Sequence, residues 1–249
     1  KGFDVTLLSQ PALVPLLREA VGLTNVVGRL DLQTWHQRHP AWMPLMDVWS
    51  KVQAHELWRP YSNGYMKIQT ERINTWRQKL ERTPGKQLVA LHWQGNPNHE
   101  HSLYSRGRSL HFERLLGLRD LKDAEFVSIQ KGAGSEQLRL NQGLTFVKGQ
   151  QQVSASMDFL DTAAVLSNCD LLISSDSAVV HLAGAMGIPT WVVLRWIPEW
   201  RWGLEGDETA WYESVRLFRQ PNDNDWKSTV KAMVAEWMQN YAHGIKFSQ

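Results

Sequence analysis

The sequence contains a single cysteine, Cys169, so no disulfide can form within the chain. Its place beside an apolar run reads as a small buried hydrophobe in a reducing, cytoplasmic setting. Long apolar runs are missing too: no stretch approaches the roughly 18 to 20 residues that a membrane span needs. Charge of one sign is not in excess. The 27 Lys and Arg residues nearly balance 25 Asp and Glu, leaving a net charge of +2, which argues against a general nucleic-acid binder. There is no GxSxG elbow, HExxH or CxxC pair, and no internal repeat, heptad or low-complexity tract. The opening "KGFDVTLLSQ" lacks the regions of a signal peptide. It reads as a strand beginning at the first residue, as in a chain cut from something longer.

What remains is the composition of a globular protein, 43% apolar and 21% charged over 249 residues, enough for one large domain or two modest ones. Tryptophan is abundant, and Trp191, Trp196, Trp200, Trp202 and Trp211 fall close together. Core and loop packing explains such residues, and so does a stacking wall for a base or sugar.

Periodicity suggests a strand at 3–8, a helix over "QPALVPLLREAVG" stopped by Gly22, and a short strand in "NVVGRL". The stretch from Asp31 to about Tyr65 is irregular, and 66–82 reads as a charged helix closed by Pro84 and Gly85. From residue 88 the alternation becomes regular. Strands are expected in "LVALHW", "EFVSIQ", "LTFVKG", "DLLIS" and "TWVVL", with helices at 109–120, 134–141, 157–168 and after Ser177. "YESVRLFRQ" adds a last strand, and 225–242 is a terminal amphipathic helix. Near-continuous apolar strands separated by helices imply a doubly wound parallel sheet covered on both faces.

In such sheets ligands bind beyond the carboxyl ends of the strands. The residues there are small, polar or basic: Gln94 to Pro97, Lys131 to Gly134, Lys148 to Gln150, Ser175-Asp176-Ser177, and Arg195 with Trp196. Ser175-Asp176-Ser177 opens a helix whose backbone N–H groups and positive dipole end suit a phosphate, with Ser177 as hydroxyl donor and His181 one turn further. The same residues fit plain capping, with Ser175 or Asp176 as N-cap and His181 a satisfied core residue. Gly187 is a C′ cap candidate ahead of Pro189. Arg106 and Arg108 end a long loop, 95–109, and an arginine there can neutralise a phosphate. His99 and His101 lie in the same loop without a carboxylate or cysteine set at ligand spacing, so no metal site is expected.

Together "WQGNP" with "RS" at 108–109, "VSIQKG" at 127–132, "DFLDTAAVLSNCDLLISSDSAVVHLAGAMGIPTWVVL" at 158–194, "EWRW" at 199–202 and "WYESVRLFRQ" at 211–220 resemble the C-terminal half of a GT-B glycosyltransferase. The resemblance is to the heptosyltransferase-like (glycosyltransferase family 9-like) domain that follows tetratricopeptide repeats in bacterial proteins, and it covers nearly all of 88–220. "KGFDVTLLSQPALVPLLREAVGLTNVV" is similar to part of that family's N-terminal domain.

The resemblance implies an α/β fold of GT-B type. A partial N-terminal, acceptor-side Rossmann-like domain would span 1–75 and the nucleotide-sugar-binding domain 76–224, with 225–249 packing back on the N-terminal part. It implies an inverting, metal-independent glycosyltransferase whose donor, a nucleotide-diphosphate sugar, is a substrate rather than a cofactor. The implied donor residues are Asn96, Arg108, Gln130, Lys131, Ser175, Asp176, Ser177 and His181, with Gln130 and Lys131 on the base and ribose side. An acceptor glycan or protein, and tetratricopeptide repeats upstream in the full-length chain, are implied partners; nucleic acid and a membrane span are not.

The chain departs from the family in two places. The family's first strand and Gly-rich loop, which often supply the general base, would precede Lys1. The loop at 98–107 reads "NHEHSLYSRG" in place of the usual Asn-Asp/Arg arrangement, and "RWGLEGDETAWY" lacks a basic residue common in that turn. No catalytic base is therefore assigned, and His99, Glu100 and His101 stand as candidates. A catalytically silent nucleotide-binding or scaffold module and a GT-B sugar-nucleotide epimerase are the alternatives.

Overall fold

The computed structural model describes residues 5–28, 41–51, 64–101, 106–140 and 143–240. The chain divides into two compact units, 1–60 and 61–249. In the first, strands β1 (Leu7–Ser9) and β2 (Val26–Gly28) pair in parallel, joined through a 3₁₀ turn at Pro11–Leu13 and helix α1 (Val14–Val21). Gly22, with φ 72°, ends α1 in the left-handed conformation that glycine adopts without strain. Helix α2 covers Leu45–Lys51. Most of the irregular stretch between Asp31 and Tyr65 lies outside the described residues.

The second unit is built on a five-stranded, wholly parallel sheet: β3 (Gln87–His92), β4 (Ala124–Ser128), β5 (Leu171–Ser175), β6 (Thr190–Leu194) and β7 (Val215–Arg219). The spatial order is β4-β3-β5-β6-β7. Strand order therefore reverses between β3 and β5, the place where doubly wound sheets open a crevice at their carboxyl ends. Helices α3 (Thr70–Leu80), α4 (Gln150–Ala155), α5 (Phe159–Leu166), α6 (Ala178–Ala185) and α7 (Trp226–Asn240) complete the regular elements. The expected domain boundary at 75/76 falls inside α3, which is tied to α5 by Arg72 Nη1 and Trp76 Nε1 donating to Asp161 at 2.8 and 3.0 Å.

The strand expected at "LTFVKG" is reduced to one parallel bridge between Phe126 and Phe146. Beyond it, Gly149 sits against the end of α3, where a Cβ would lie 1.9 Å from the Lys79 carbonyl oxygen. The side chain of Gln150 takes the place of the missing backbone. Its Oε1 accepts from Ser128 N–H at 2.7 Å and its Nε2 donates to Ser128 O at 3.0 Å. The helix expected at 109–120 is a 3₁₀ helix, Phe112–Asp120, and that at 134–141 a 3₁₀ helix, Ser135–Leu140.

Alternation along the strands sorts the two faces. Val89, Leu91, Trp93, Leu171, Ile173, Trp191 and Val193 meet Phe112, Leu115 and Leu118 of the 3₁₀ helix and Trp226, Val230, Met233 and Trp237 of α7. The terminal helix expected to return to the N-terminal part thus buries this stripe in the sheet's own core. Val192, Leu194, Val215 and Leu217 pack with Val180 and Trp202 on the other face. Trp93, Trp191 and Trp237 are fully buried packing residues, whereas Trp196 and Trp200 are exposed. The Cys169 thiol, bonded to Val165 O at 3.2 Å, is pushed up by burial and stays protonated.

Candidate functional site

The carboxyl ends of β3 and β5 define the site. Strand β5 ends on Ser175, and α6 begins one turn later with Ser177 in the N-cap position, extended at φ −154° and ψ 171°. Capping predicts a side-chain oxygen accepting from the first-turn N–H groups. Ser177 makes no such bond, and neither Ser175 nor Asp176 occupies the cap. Its hydroxyl lies instead 3.2 Å from His92 Nδ1 and 3.3 Å from Ser174 Oγ. Ser174 Oγ donates to Ser175 O at 2.7 Å, and Ser175 Oγ is buried without a hydrogen-bond partner. Asp176 stands half-buried between them in sequence.

The far end of α6 explains its small residues. Gly187 N–H bonds Gly184 O and Ile188 N–H bonds Ala183 O, a Schellman ending with Gly187 at φ 72°. At Gly184 the ring of Tyr212 lies so close that a Cβ would be 2.4 Å from its Cγ. This holds the Tyr212 hydroxyl 3.2 Å from His181 Nδ1, while the His181 ring stacks on Trp202 with centroids 5.4 Å apart. Burial lowers the His181 pKa against the opposing pull of Asp176, and burial raises that of Tyr212, so both are neutral near pH 7.

Across the switch point, the loop after β3 is strapped over the rim. Ser109 Oγ accepts from Gly95 N–H at 2.9 Å and donates to Glu100, while Arg195, just past β6, donates to Arg106 O. The strap's anchors follow β3 and β6, which flank β5. Arg108 approaches Glu100 at 3.7 Å, yet its Nε is buried with no hydrogen-bond partner. His99 and His101 are exposed in the same loop, of which residues 102–105 lie outside the described set.

Three expected donor residues are engaged elsewhere. Gln130 is buried, its Oε1 accepting from Trp93 and Gln94 N–H and its Nε2 donating to Gln94 and Ala133 carbonyls. It clasps the loops after β3 and β4, which leaves its amide nothing to offer a base or ribose. Lys131 turns away from the rim to donate to Val153 O at the end of α4, and burial lowers its pKa to about 8 against the pull of Asp161. Asn96 caps the short turn Pro97–His99 by accepting from Asn98 N–H at 3.0 Å.

Ser175, Asp176, Ser177 and Arg108, expected at one rim, follow the carboxyl ends of β5 and β3, with His181 on α6; His92 and Tyr212 are not among the expected site residues, and Ser174 stands in the polar break without an expected role. Within "LVALHW" His92 is one polar residue at a strand end; the available signal was its position opposite the "SS" of "LLISS". Among the described residues no three His, Cys, Asp or Glu side chains converge on a common point. No described helix is long and apolar enough to cross a membrane.

A doubly wound α/β domain with polar groups gathered at the switch point is an architecture that binds ligands at that crevice. Residues 128–227 match the family described as Glycosyltransferase family 9 (heptosyltransferase). Over 94% of this chain and 90% of the other, the fold is similar to that of the E. coli heptosyltransferase WaaC with ADP, at a TM-score of 0.52 and 12% identity. The E. coli ADP-heptose lps heptosyltransferase II is matched over 70% of this chain and 54% of the other, at a TM-score of 0.44 and 8% identity. A family 9 glycosyl transferase from Veillonella parvula is matched over 70% and 45%, at 0.45 and 12%. This chain thus spans about half the length of the latter two. No curated protein matches it significantly.

Proposed function

We propose that the parallel-sheet unit is the donor-binding half of a glycosyltransferase that uses a nucleotide-diphosphate sugar, with inversion at the sugar and without a metal. The observation that carries this reading is the placement of buried polar atoms without hydrogen-bond partners. Native interiors leave few of these, and each calls for an explanation. Ser175 Oγ, Arg108 Nε and Gln220 Nε2, the last just past β7, all belong to the carboxyl-end rim. A diphosphate at this rim would give Arg108 Nε an acceptor.

In this reading the acceptor's hydroxyl oxygen attacks the anomeric carbon as the bond to the diphosphate oxygen breaks. Negative charge grows on the leaving nucleoside diphosphate. The α6 N–H groups, the Ser177 hydroxyl and Arg108 stabilise it, while Asp176 and His181 position the sugar. The proton leaves with a base not assigned to any described residue. The acceptor, glycan or protein, and the upstream tetratricopeptide repeats remain part of the proposal.

One observation favours the silent-module reading: Gln130, Lys131 and Asn96 are already committed to protein contacts. Incubating the full-length protein with ADP-, UDP-, GDP- and CDP-sugars and following nucleoside diphosphate release separates the two. The transferase reading expects release that an acceptor accelerates. Saturable binding without release selects the silent module, and release of free or rearranged sugar without acceptor selects the epimerase.

A further inference from the structure

His92 is the last residue of β3, and the parallel ladder pairs it with Ser174 of β5. Both side chains therefore rise on the α6 face of the sheet, beneath the helix N-terminus, at the switch point. His92 is 8% exposed, and burial lowers its pKa to about 4, so at neutral pH the ring carries one proton on one of two nitrogens. Three polar atoms meet there: Nδ1 lies 3.2 Å from Ser177 Oγ and 3.4 Å from Ser174 Oγ, and the two oxygens are 3.3 Å apart.

Counting protons decides between the tautomers. The Ser174 proton is committed to Ser175 O at 2.7 Å, so Ser174 Oγ faces His92 only as an acceptor. If Nδ1 were bare, its lone pair would confront that oxygen with no proton between them, and Ser177 would have to turn its hydroxyl inward to satisfy the nitrogen. A phosphate would then meet only the Ser177 lone pairs. If Nδ1 carries the proton, one N–H serves both oxygens, and the Ser177 proton is freed from the nitrogen, shared only with Ser174 Oγ at 3.3 Å until an outward acceptor takes it.

We propose that His92 is a positioning residue: its Nδ1–H fixes the Ser177 oxygen and so presents the Ser177 hydroxyl proton to the donor diphosphate. The second half of the proposal rests on the donor-site reading above; the tautomer does not. The acting group is thus an imidazole in the neighbouring strand, outside the "SSDS" segment that carries the hydroxyl.

Long-range proton–nitrogen correlation spectra of the ¹⁵N-histidine-labelled chain at neutral pH test the tautomer without any ligand. The His92 signals are identified by their loss in His92→Asn. A protonated Nδ1 with a bare Nε2 is expected, and a bare Nδ1 overturns the proposal. Calorimetry with ADP, UDP, GDP and CDP tests the consequence. His92→Asn, which can again offer an amide N–H near the Nδ1 position, should bind within about threefold of the wild type. His92→Phe, which keeps a ring and removes the donor, should bind about tenfold more weakly. Thermal melts of both variants show that the fold is intact; if His92→Phe does not fold, the wild-type spectrum and His92→Asn decide. Phenylalanine binding as tightly as histidine overturns the proposal. Wild type with a protonated Nδ1 but no nucleoside diphosphate affinity sinks the donor-site reading and leaves the tautomer assignment standing.

Discussion

Replacing Gln130 with leucine tests whether this residue is a brace or a ligand contact. Besides a long contact to Lys131 O, the side chain makes four close bonds to backbone, accepting from Trp93 N–H at 3.1 Å and Gln94 N–H at 3.0 Å and donating to Gln94 O at 2.8 Å and Ala133 O at 2.7 Å. Each is worth about 1 kcal/mol net, and leucine recovers about 1 kcal/mol through apolar burial, so Gln130→Leu should cost ~3 kcal/mol. That is a large share of the roughly 5–15 kcal/mol that holds a domain together. Urea denaturation followed by circular dichroism reads the loss as a lower midpoint at unchanged slope. Hydrogen exchange should accelerate at the Trp93 and Gln94 amides, because their acceptor is gone. A leucine variant within about 0.5 kcal/mol of the wild type, with those amides still protected, would refute the clasp.

Gly149→Ala should lose about 1–3 kcal/mol, since its Cβ would collide with the Lys79 carbonyl; a chemical melt of the variant measures it. Gly184→Ala should displace the Tyr212 ring and break its contact with His181, which a change in the His181 imidazole shifts would report. His92 supplies a pH dependence with a definite sign. Its folded pKa lies below its unfolded value, so the unfolded chain takes up the proton first and stability declines as pH falls from about 6.5 toward 4. Relative to the wild type, His92→Asn should lose up to about 1.4 kcal/mol per pH unit of that slope across the window, measured by denaturation at matched pH values.

The regular alternation after residue 88 made the sheet legible, because buried parallel strands are apolar throughout and their ends are marked by small and polar residues. Legibility failed where a side chain substitutes for backbone. Nothing in "VKGQQQ" says that the Gln150 amide will close the edge at Ser128 and let the chain turn into α4. The site divided on similar lines. The "SSDS" break is visible as a polar interruption between apolar elements, but which serine caps, and that Ser177 leaves the cap unmade, depends on His92 from a strand more than eighty residues earlier. Gln130 and Lys131 stand at a strand end and so read as ligand contacts, whereas their partners, the backbone of two loops and the end of α4, are set by packing.

A donor site here requires a diphosphate resting at the α6 N-terminus. Calorimetric titration of the wild type and Ser177→Ala with ADP, UDP, GDP and CDP, each with backbone amide spectra, tests this most directly. Saturable binding of at least one, weakened about tenfold or more in Ser177→Ala and shifting the amides from Ser175 to Val179, is the predicted result. A folded wild type that binds none of them, or binds with shifts confined to the opposite ends of the strands, would contradict it.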